Sequence, residues 1–337
     1  MAYYQKIKHD REAYPAGNTE PGQAGWIADR LLRLREQLDG EIASKREPGS
    51  LIIGSWNVRH FDGGRLRLPE SYHYIAEIID HFDICALQEV KDVAAVERLM
   101  KLLGDNWDYF INDSSGGGRG NHERMAFLYN TNVVSFRNLI GELVVPAGAL
   151  PGGEQIARTP FFASFQAGWF RFTMCSAHIV FKEEDGRPLR EDEIRTIAKI
   201  LKDRAVDADE VHVFLGDFNT NSVDTGPIPE MEAMGYIVPR FGETNITRTK
   251  HYDHITFVGP KDEKNLLSSG TVCFTNSVFM EDEMEDYRLI AERMRGEPYT
   301  NWEASYRSWK THEMSDHLPI WIEIRTDYSN PYLRSIT

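Results

Sequence analysis

The sequence has few cysteines and lacks any long apolar run. Its three cysteines stand in apolar stretches without CxxC spacing, which indicates small core residues in a reducing compartment rather than a disulfide or zinc framework. No run of about 18 or more apolar residues could span a bilayer, and residues 1–20 lack the apolar segment of a secretory signal. We therefore expect a cytoplasmic protein that does not bind membranes. The cysteines are Cys85, Cys175 and Cys273.

Positive charge is also scarce. The chain carries 38 Lys and Arg against 52 Asp and Glu, a net charge of -14. This balance excludes a general attraction to nucleic acid or anionic lipid, so a polyanionic substrate must be held by local groups. With 337 residues, of which 41% are hydrophobic and 11% aromatic, the chain is long and apolar enough to bury a large core.

Hydrophobic periodicity predicts an α/β chain. Helical spacing predicts helices over about 72–82, with Ser71 as the N-cap behind Pro69, and over 93–103 and 191–206. Short alternating apolar stretches predict eight strands. Strand-like sequence lies on both sides of the Gly-rich and Pro-rich stretches at 114–120 and 146–153, which are typical of loops within one domain. The predicted strands cover 51–57, 83–88, 126–129, 161–166, 170–178, 211–217, 252–258 and 318–324.

Two segments stand apart from this pattern. Residues 1–50 form an N-terminal extension with an amphipathic helix, whose apolar stripe is too short for a coiled coil. We expect this helix to pack on its own domain; self-association through it is the alternative, and the sequence does not set the oligomeric state. The acidic stretch 280–299 predicts a helix inside an insertion of about 278–312, within a domain of 51–327 followed by a tail of 328–337. The stripe consists of Ile27, Leu31, Leu34, Leu38 and Ile42.

Polar side chains stand where the predicted strands end or begin. Strands of opposite direction bring both sets to one edge of a mixed sheet, so we expect them to meet. Asp217 and Asn219 are two residues apart and would face one side of an extended segment. Asp316 and His317 can share a ligand only from a loop, which fits a strand that begins near Pro319. The residues at the C-terminal ends of strands are Asn57, Glu89, His178, Asp217 and Asn219, and those at or just before the starts of strands are Asp253, Asp316 and His317.

This set of side chains indicates metal-assisted chemistry on phosphate. Mg²⁺ is held by one or two carboxylates together with water and phosphate oxygens, and Asn57, Glu89 and Asp316 offer such a sparse shell. Pairs of histidine and carboxylate move protons near neutral pH. The chain has no HExxH motif and no cysteine ligand pair, so the oxygen-rich set favours Mg²⁺, Mn²⁺ or Ca²⁺ over zinc.

Each motif is weak by itself, but their order is informative. The series NV, QEV, ERMAFLY, RTP, AHI, GDFN, YDHI and SDHLP resembles the endonuclease/exonuclease/phosphatase superfamily, with its deoxyribonuclease I-like fold, over residues 51–325. The resemblance implies a four-layer α/β sandwich, in which two packed mixed β-sheets are flanked by helices. It also implies Mg²⁺- or Mn²⁺-dependent hydrolysis of phosphodiester or phosphomonoester bonds.

The resemblance further implies individual roles. Glu89 would be the principal metal ligand, with Asn57 and Asp316 completing the site. His317 and Asp253 would form the dyad that acts on the attacking water. The remaining roles are His178 as the second histidine, Glu123 as its orienting carboxylate, Asp217 and Asn219 as groups that orient the water and contact phosphate, and Lys91, Arg158 and Arg124 as phosphate-binding cations.

Differences between this sequence and known branches of the superfamily narrow the range of expected substrates. Ile-Val-Phe follows His178, where the secreted pancreatic-type enzymes have Ala-Ala-Pro. The chain also lacks the disulfide pairs of those enzymes. Apurinic-site endonucleases have Asn at the position of His178, and inositol polyphosphate 5-phosphatases have Trp-Cys-Asp-Arg where this chain has Tyr252-Asp253-His254. A nuclease that hydrolyses DNA with little sequence specificity fits best. A phosphomonoesterase acting on a small metabolite or lipid headgroup is the alternative, ahead of a non-catalytic binding module, because every expected side chain is present.

Basic residues near the predicted site favour a groove for phosphates, in which His60 and Phe61 would touch sugar or base. No zinc finger, helix-turn-helix or RNA-binding aromatic motif is visible, so recognition through backbone and shape is expected. The basic residues are Arg59, Arg65, Arg67, Arg119, Arg124, Arg248, Lys250 and His251.

Overall fold

The structure is a computed structural model that describes residues 2–114, 121–181, 190–259 and 266–337. Within these ranges eleven strands form two sheets. The strands are β1 Ser50–Phe61, β2 Ile84–Val90, β3 Trp107–Ile111, β4 Arg124–Asn130, β5 Ser135–Glu142, β6 Phe161–Ala167, β7 Phe170–His178, β8 Val211–Asp217, β9 Asp253–Val258, β10 Leu266–Thr271 and β11 Ile320–Arg325. The α-helices are α1 Gln5–His9, α2 Ala24–Glu41, α3 Pro69–Asp80, α4 Val93–Leu103, α5 Arg190–Ala208, α6 Pro227–Ala233, α7 Met284–Arg295, α8 Trp302–Glu313 and α9 Ser329–Ser335.

Both sheets are mixed. The first has the order β10-β11-β1-β2-β4-β3, and the second has the order β5-β6-β7-β8-β9. In the first sheet β1 is parallel to β2 and antiparallel to β11. In the second sheet β8 is parallel to β7 and antiparallel to β9. Strands of opposite direction therefore begin and end at the same edge, as the sequence predicts.

Alternation along β1 shows how the sheets form four layers. Leu51 and Ile53 belong to a core that also contains Phe172 of β7 and Val213 of β8, so this core lies between the two sheets. Ile52 points the other way and packs with the helices outside the first sheet. A third core covers the outer face of the second sheet with α5 and α6. The predicted four-layer fold is confirmed.

The helix that precedes β2 begins differently from the prediction. It starts at Pro69, and its N-cap residue, Leu68, makes no side-chain cap. The prediction of Ser71 as the cap is wrong, because Ser71 is buried and its Oγ donates to Glu313 Oε2 at 2.8 Å. The predicted helix 93–103 coincides with α4, where Asp92 Oδ1 accepts from Ala94 N at 2.9 Å.

The N-terminal amphipathic helix α2 packs on the domain, as predicted. Its apolar stripe is buried in the core that covers the outer face of the first sheet. Trp26 Nε1 also donates to Tyr287 Oη at 3.2 Å, which ties α2 to α7. The boundary at residue 50 stays a prediction.

The helix predicted within 280–299 is present as α7, and the predicted insertion also contains most of a second helix, α8. A short 3-10 helix at Glu281–Glu283 leads into α7, and Gly296, with φ of +84°, ends α7 before α8 begins. Residues 328–337, predicted as a tail, include α9. The predicted loop at 114–120 lies outside the described residues apart from Ser114. Among the described helices, none is both long and apolar enough to cross a membrane.

Candidate active site

Three predicted site residues lie side by side in the second sheet, where strands β7 and β8 end and strand β9 begins. The strand register pairs His178 with Asp217 and Asp217 with Asp253. Parallel strands β7 and β8 end here, and antiparallel β9 begins here. All three side chains are buried. Strand direction therefore brings together residues that are far apart in the chain.

Asn57 and Glu89 reach the same place from the first sheet. Asn57 Nδ2 donates to Glu89 Oε1 and to Asp217 Oδ2, each at 3.0 Å. Glu89 has a φ of +59° within β2, and the pairing of β2 with both neighbouring strands shifts register around it. Left-handed backbone at a non-glycine residue costs on the order of 1–3 kcal/mol and is frequent at functional sites.

His317 and Asp253 form the first of two histidine–carboxylate pairs. His317 Nδ1 lies 2.8 Å from Asp253 Oδ2, which also accepts from Thr244 Oγ1 at 2.7 Å. His317 itself lies in the loop between α8 and β11, as the sequence predicts. Burial opposes the imidazolium form, but the charges of Asp253 and Asp217 outweigh it and raise the pKa of His317 well above its ordinary value.

His178 and Glu123 form the second pair. His178 Nδ1 lies 2.9 Å from Glu123 Oε2, and Glu123 is buried. Arg158 Nε lies 3.3 Å from the same oxygen, and Lys91 Nζ lies 3.3 Å from Glu123 Oε1. Burial alone would raise the pKa of Glu123, but the adjacent His178 and the charge of Arg158 lower it. Glu123 is thus an ionised partner for His178.

The two imidazoles converge on one carboxylate oxygen. Nε2 of His178 lies 3.4 Å from Asp217 Oδ2, and Nε2 of His317 lies 3.6 Å from it. Since each Nδ1 faces its own carboxylate, each Nε2 points into the shared space. A carboxylate at Nδ1 fixes the orientation and tautomer of a histidine. The geometry therefore supplies two oriented proton-transfer groups at one place.

Asn219 reaches the site by a different backbone path from the one predicted. The extended segment expected for Asp217 and Asn219 is wrong, because Asn219 has a φ of +53°. Its N–H donates to Asp217 Oδ1 at 2.9 Å, and its Nδ2 donates to Ile179 O at 2.7 Å. Asn219 therefore holds the Asp217 carboxylate in place.

Asp316 and Arg124 take less central positions. Asp316 is half-buried, and its charge contributes to raising the pKa of His317. Arg124 begins β4 and donates through Nη1 to Lys91 O at 3.1 Å. Metal binding by Asp316 and phosphate binding by Lys91, Arg124 and Arg158 stay predictions.

The residues fit a hard divalent cation. Asn57 Oδ1 is buried without a hydrogen-bond partner among the described residues, although Nδ2 of the same amide makes two hydrogen bonds. Burial would raise the pKa of Glu89, but the charge of His178 and hydrogen bonds from His60 N and Asn57 lower it to about 2. An ionised carboxylate beside a free amide oxygen is a donor set suited to Mg²⁺ or Mn²⁺.

Sequence reasoning placed His60 in the groove but missed its contact with Glu89. The His60 N–H donates to Glu89 Oε2 at 2.8 Å, and its Nδ1 lies 3.3 Å from the same oxygen. Donor atoms of His60, Glu89 and Glu123 all lie within 4.8 Å of one another. The sequence feature that could have indicated this contact is the position of His60, three residues after Asn57 and close to the end of β1.

Two members of the predicted basic groove cannot contact substrate. Phe61 is buried in the core, so its predicted contact with sugar or base is wrong. Arg67 is buried as well, where it donates to Asp62 Oδ1 at 2.6 Å and to Glu313 O at 3.2 Å. The charge of Arg67 is therefore paired with Asp62 within the fold. Arg119 lies outside the described residues.

Comparison with known proteins agrees with this geometry. A sequence model of the endonuclease/exonuclease/phosphatase family matches residues 54–257. The chain therefore belongs to this family of phosphoester hydrolases. It is 25% identical to deoxyribonuclease-1 of Rattus norvegicus over 303 residues, which cover 82% of this chain and 92% of that protein.

Solved structures share the fold at lower sequence identity. A family protein from Bacteroides thetaiotaomicron is 16% identical, with a TM-score of 0.57, and the match covers 84% of this chain and 100% of that one. A mannosyl-6-phosphatase from the same organism is 16% identical, with a TM-score of 0.54 and coverage of 81% and 99%. At this identity the structures show the fold and leave the substrate open.

Proposed function

We propose that the protein is a Mg²⁺- or Mn²⁺-dependent nuclease that hydrolyses DNA phosphodiester bonds with little sequence specificity. The observation that carries the proposal is the convergence of His178 and His317 on Asp217, with Glu89 Oε1 3.8 Å from His178 Nε2. Hydrolysis of a phosphodiester needs one group to take a proton from water and another to protonate the leaving oxygen. Similarity to deoxyribonucleases supports DNA as the substrate.

In the proposed reaction the oxygen of water attacks phosphorus, and the bond from phosphorus to the leaving oxygen breaks. One imidazole Nε2 accepts the proton of the water, and the other gives a proton to the leaving oxygen. Asp217 orients the water, while Asp253 and Glu123 stabilise the imidazolium forms. When bound at Asn57, Glu89 and Asp316, a divalent cation would neutralise charge on the phosphate oxygens.

The test is an assay of the purified protein with Mg²⁺, Mn²⁺ or EDTA. The substrates are supercoiled plasmid, single-stranded DNA, RNA and p-nitrophenyl phosphate. We expect cleavage of DNA that EDTA abolishes and that added Mg²⁺ or Mn²⁺ restores. Release of phosphate from the monoester without any cleavage of nucleic acid would overturn the nuclease proposal in favour of a phosphomonoesterase, and full activity in EDTA would overturn the cation requirement.

A cytoplasmic location is part of the same proposal. All three cysteines are free; Cys85 and Cys175 are buried as predicted, whereas Cys273 is only half-buried. Free thiols are typical of reducing compartments. Cell fractionation tests this: recovery of the protein in the cytoplasmic fraction supports the location, and recovery in the culture medium contradicts it.

A further inference from the structure

A row of aromatic rings leads from the candidate active site toward solvent. The ring centroid of Tyr252 lies 5.6 Å from that of His317 and 6.1 Å from that of Phe181. Phe181 is 50% exposed. The guanidinium carbon of Arg190 lies 5.5 Å from the Phe181 ring. The row thus begins at a proton-transfer group and ends in an exposed apolar ring with a cation beside it.

The row is attached to the backbone segments that carry the site. Tyr252 directly precedes Asp253, and its carbonyl accepts from Phe218 N at 2.8 Å. Phe181 follows His178 by three residues. Arg190, the first residue of α5, donates through Nη1 to Asn219 O at 2.7 Å. Tyr252 and Arg190 are therefore held in place relative to the catalytic groups, and Phe181 lies close to His178 in the chain.

Flat apolar rings next to a phosphate site suit a particular ligand chemistry. An isolated exposed apolar residue needs no explanation, but Phe181 stands in line with Tyr252 and a guanidinium. Nucleobases stack on aromatic rings and on arginine, and this stacking tolerates any sequence because every base has a π-face. A nucleic acid strand with one phosphate bound at His317 would bring the base nearest to that phosphate to this row.

We propose that the exposed ring of Phe181, which packs edge-to-face against Tyr252 with an interplanar angle of 83°, is a stacking surface for a nucleobase next to the scissile phosphate. The inference rests on the proposed nuclease function and specifies its substrate. In a duplex the base faces are covered by their neighbours, whereas in a single strand they are free to stack on protein. Single-stranded or locally unpaired nucleic acid is therefore the preferred substrate class.

The test compares two oligonucleotides with equal numbers of phosphates. One is a short labelled single-stranded DNA, and the other is the same chain made of abasic sites. Binding is measured by fluorescence anisotropy in EDTA, which prevents cleavage. Phe181→Ala should weaken binding of the base-bearing chain by about 5- to 150-fold, the range for loss of one stacked base, and leave the abasic chain unchanged. Phe181→Trp should retain binding.

Trp169→Ala is the matched control. Trp169 is 53% exposed and directly precedes β7, whereas Phe181 lies beyond the other end of this strand. This variant should bind both oligonucleotides like the wild type. Equal losses for both oligonucleotides in Phe181→Ala, or no loss for either, would overturn the stacking surface. If the wild type cuts DNA, such a result leaves the nuclease function intact; if the wild type neither binds nor cuts nucleic acid, the nuclease function itself fails.

Discussion

At the scale of single residues, the amide of Asn57 joins the two sheets at the site. Its Nδ2 donates to one carboxylate from each sheet, Glu89 and Asp217. A carboxylate in place of the amide would face these two carboxylates with a third negative charge, which is unfavourable at such short range. The amide supplies a hydrogen-bond donor and still leaves one oxygen, Oδ1, for a cation.

The pair of His317 and Asp253 makes a first residue-scale prediction. His317→Ala and Asp253→Asn should each lower the single-turnover rate about 10²- to 10⁴-fold, the range for positioned acid–base groups. The double variant should be no slower than the slower single variant, because either change disables the pair. Melting temperature is measured on the same preparations. A destabilised His317→Ala with full activity would make the residue structural, since it lies in the loop before β11.

Glu313 makes a second residue-scale prediction. Burial is the main cause that raises the pKa of Glu313 from 4.5 to about 7, against hydrogen bonds to one oxygen from Leu68 N and Ser71 Oγ. Between these two pH values the folded protein keeps a proton that the unfolded chain releases. The stabilising contribution of about 3 kcal/mol is thus complete below pH 4.5 and is lost as pH rises through 7.

The variant Glu313→Gln removes this titration. Other buried carboxyl groups, such as Glu70 and Glu77, titrate in both proteins. The free energy of unfolding of Glu313→Gln, measured with urea from pH 4.5 to 8, should therefore fall by about 3 kcal/mol less than that of the wild type across the range. Glu303→Gln changes an exposed glutamate in the same helix, α8, and should follow the wild type. Parallel curves for the wild type and Glu313→Gln would contradict the prediction.

The sequence predicted which residues form the site better than it predicted their backbone conformations. Residue type and strand direction sufficed to bring His178, Asp217 and Asp253 together. The left-handed conformations of Glu89 and Asn219 could not be predicted, because each residue makes hydrogen bonds with residues distant in the chain: Glu89 accepts from Asn57, and Asn219 donates to Ile179 O. The burial of Arg67 could not be predicted either, because one of its hydrogen-bond partners is the carbonyl of Glu313 in α8, which is distant in the chain.

At the scale of secondary structure, every predicted strand is present and three strands were missed. The missed strands, β3, β5 and β10, each lie at the edge of a sheet. An edge strand has a partner on one side only, and these three are half-buried or exposed along most of their length. Their sequences therefore lack the apolar run or the clean alternation that revealed the central strands.

Helix α2 gives a prediction at this scale. Leu34 is 0% exposed in the core, whereas Leu32 on the same helix is 67% exposed. Leu34→Ala should lower the free energy of unfolding by about 2–5 kcal/mol, because it removes buried methyl groups and leaves a cavity. Leu32→Ala makes the same chemical change at the surface and should stay within about 0.5 kcal/mol of the wild type. Urea unfolding measures both variants, and equal effects would show that α2 does not contribute its stripe to the core.

At the scale of the whole molecule, the two sheets are needed together for the site. Asn57 and Glu89 come from the first sheet, and Asp217 comes from the second. The central core keeps the sheets in register through residues such as Ile53 and Val213. A site assembled across two sheets is lost if their packing is lost, so cleavage activity should disappear in the same transition as the fold.

Net charge leads to the last prediction. A molecule of charge -14 repels nucleic acid at long range, so binding has to come from cations near the site such as Arg158. For single strands the logarithm of affinity falls by about 0.7 per logarithmic unit of salt for each phosphate neutralised. Affinity for a short single-stranded DNA should therefore fall with NaCl, and Arg158→Ala should reduce the slope by about one contact.

Arg325→Ala is the control that isolates this contact. Arg325 ends β11 and pairs with Ser50 at the start of β1, at the edge opposite the site. It lies 3.3 Å from Glu47, just as Arg158 lies 3.3 Å from Glu123. Both variants remove one positive charge and one ion pair, so any effect of total charge is the same in each. A lower slope in Arg158→Ala alone assigns the contact to Arg158, whereas equal slopes in the two variants would remove Arg158 from the phosphate-binding surface.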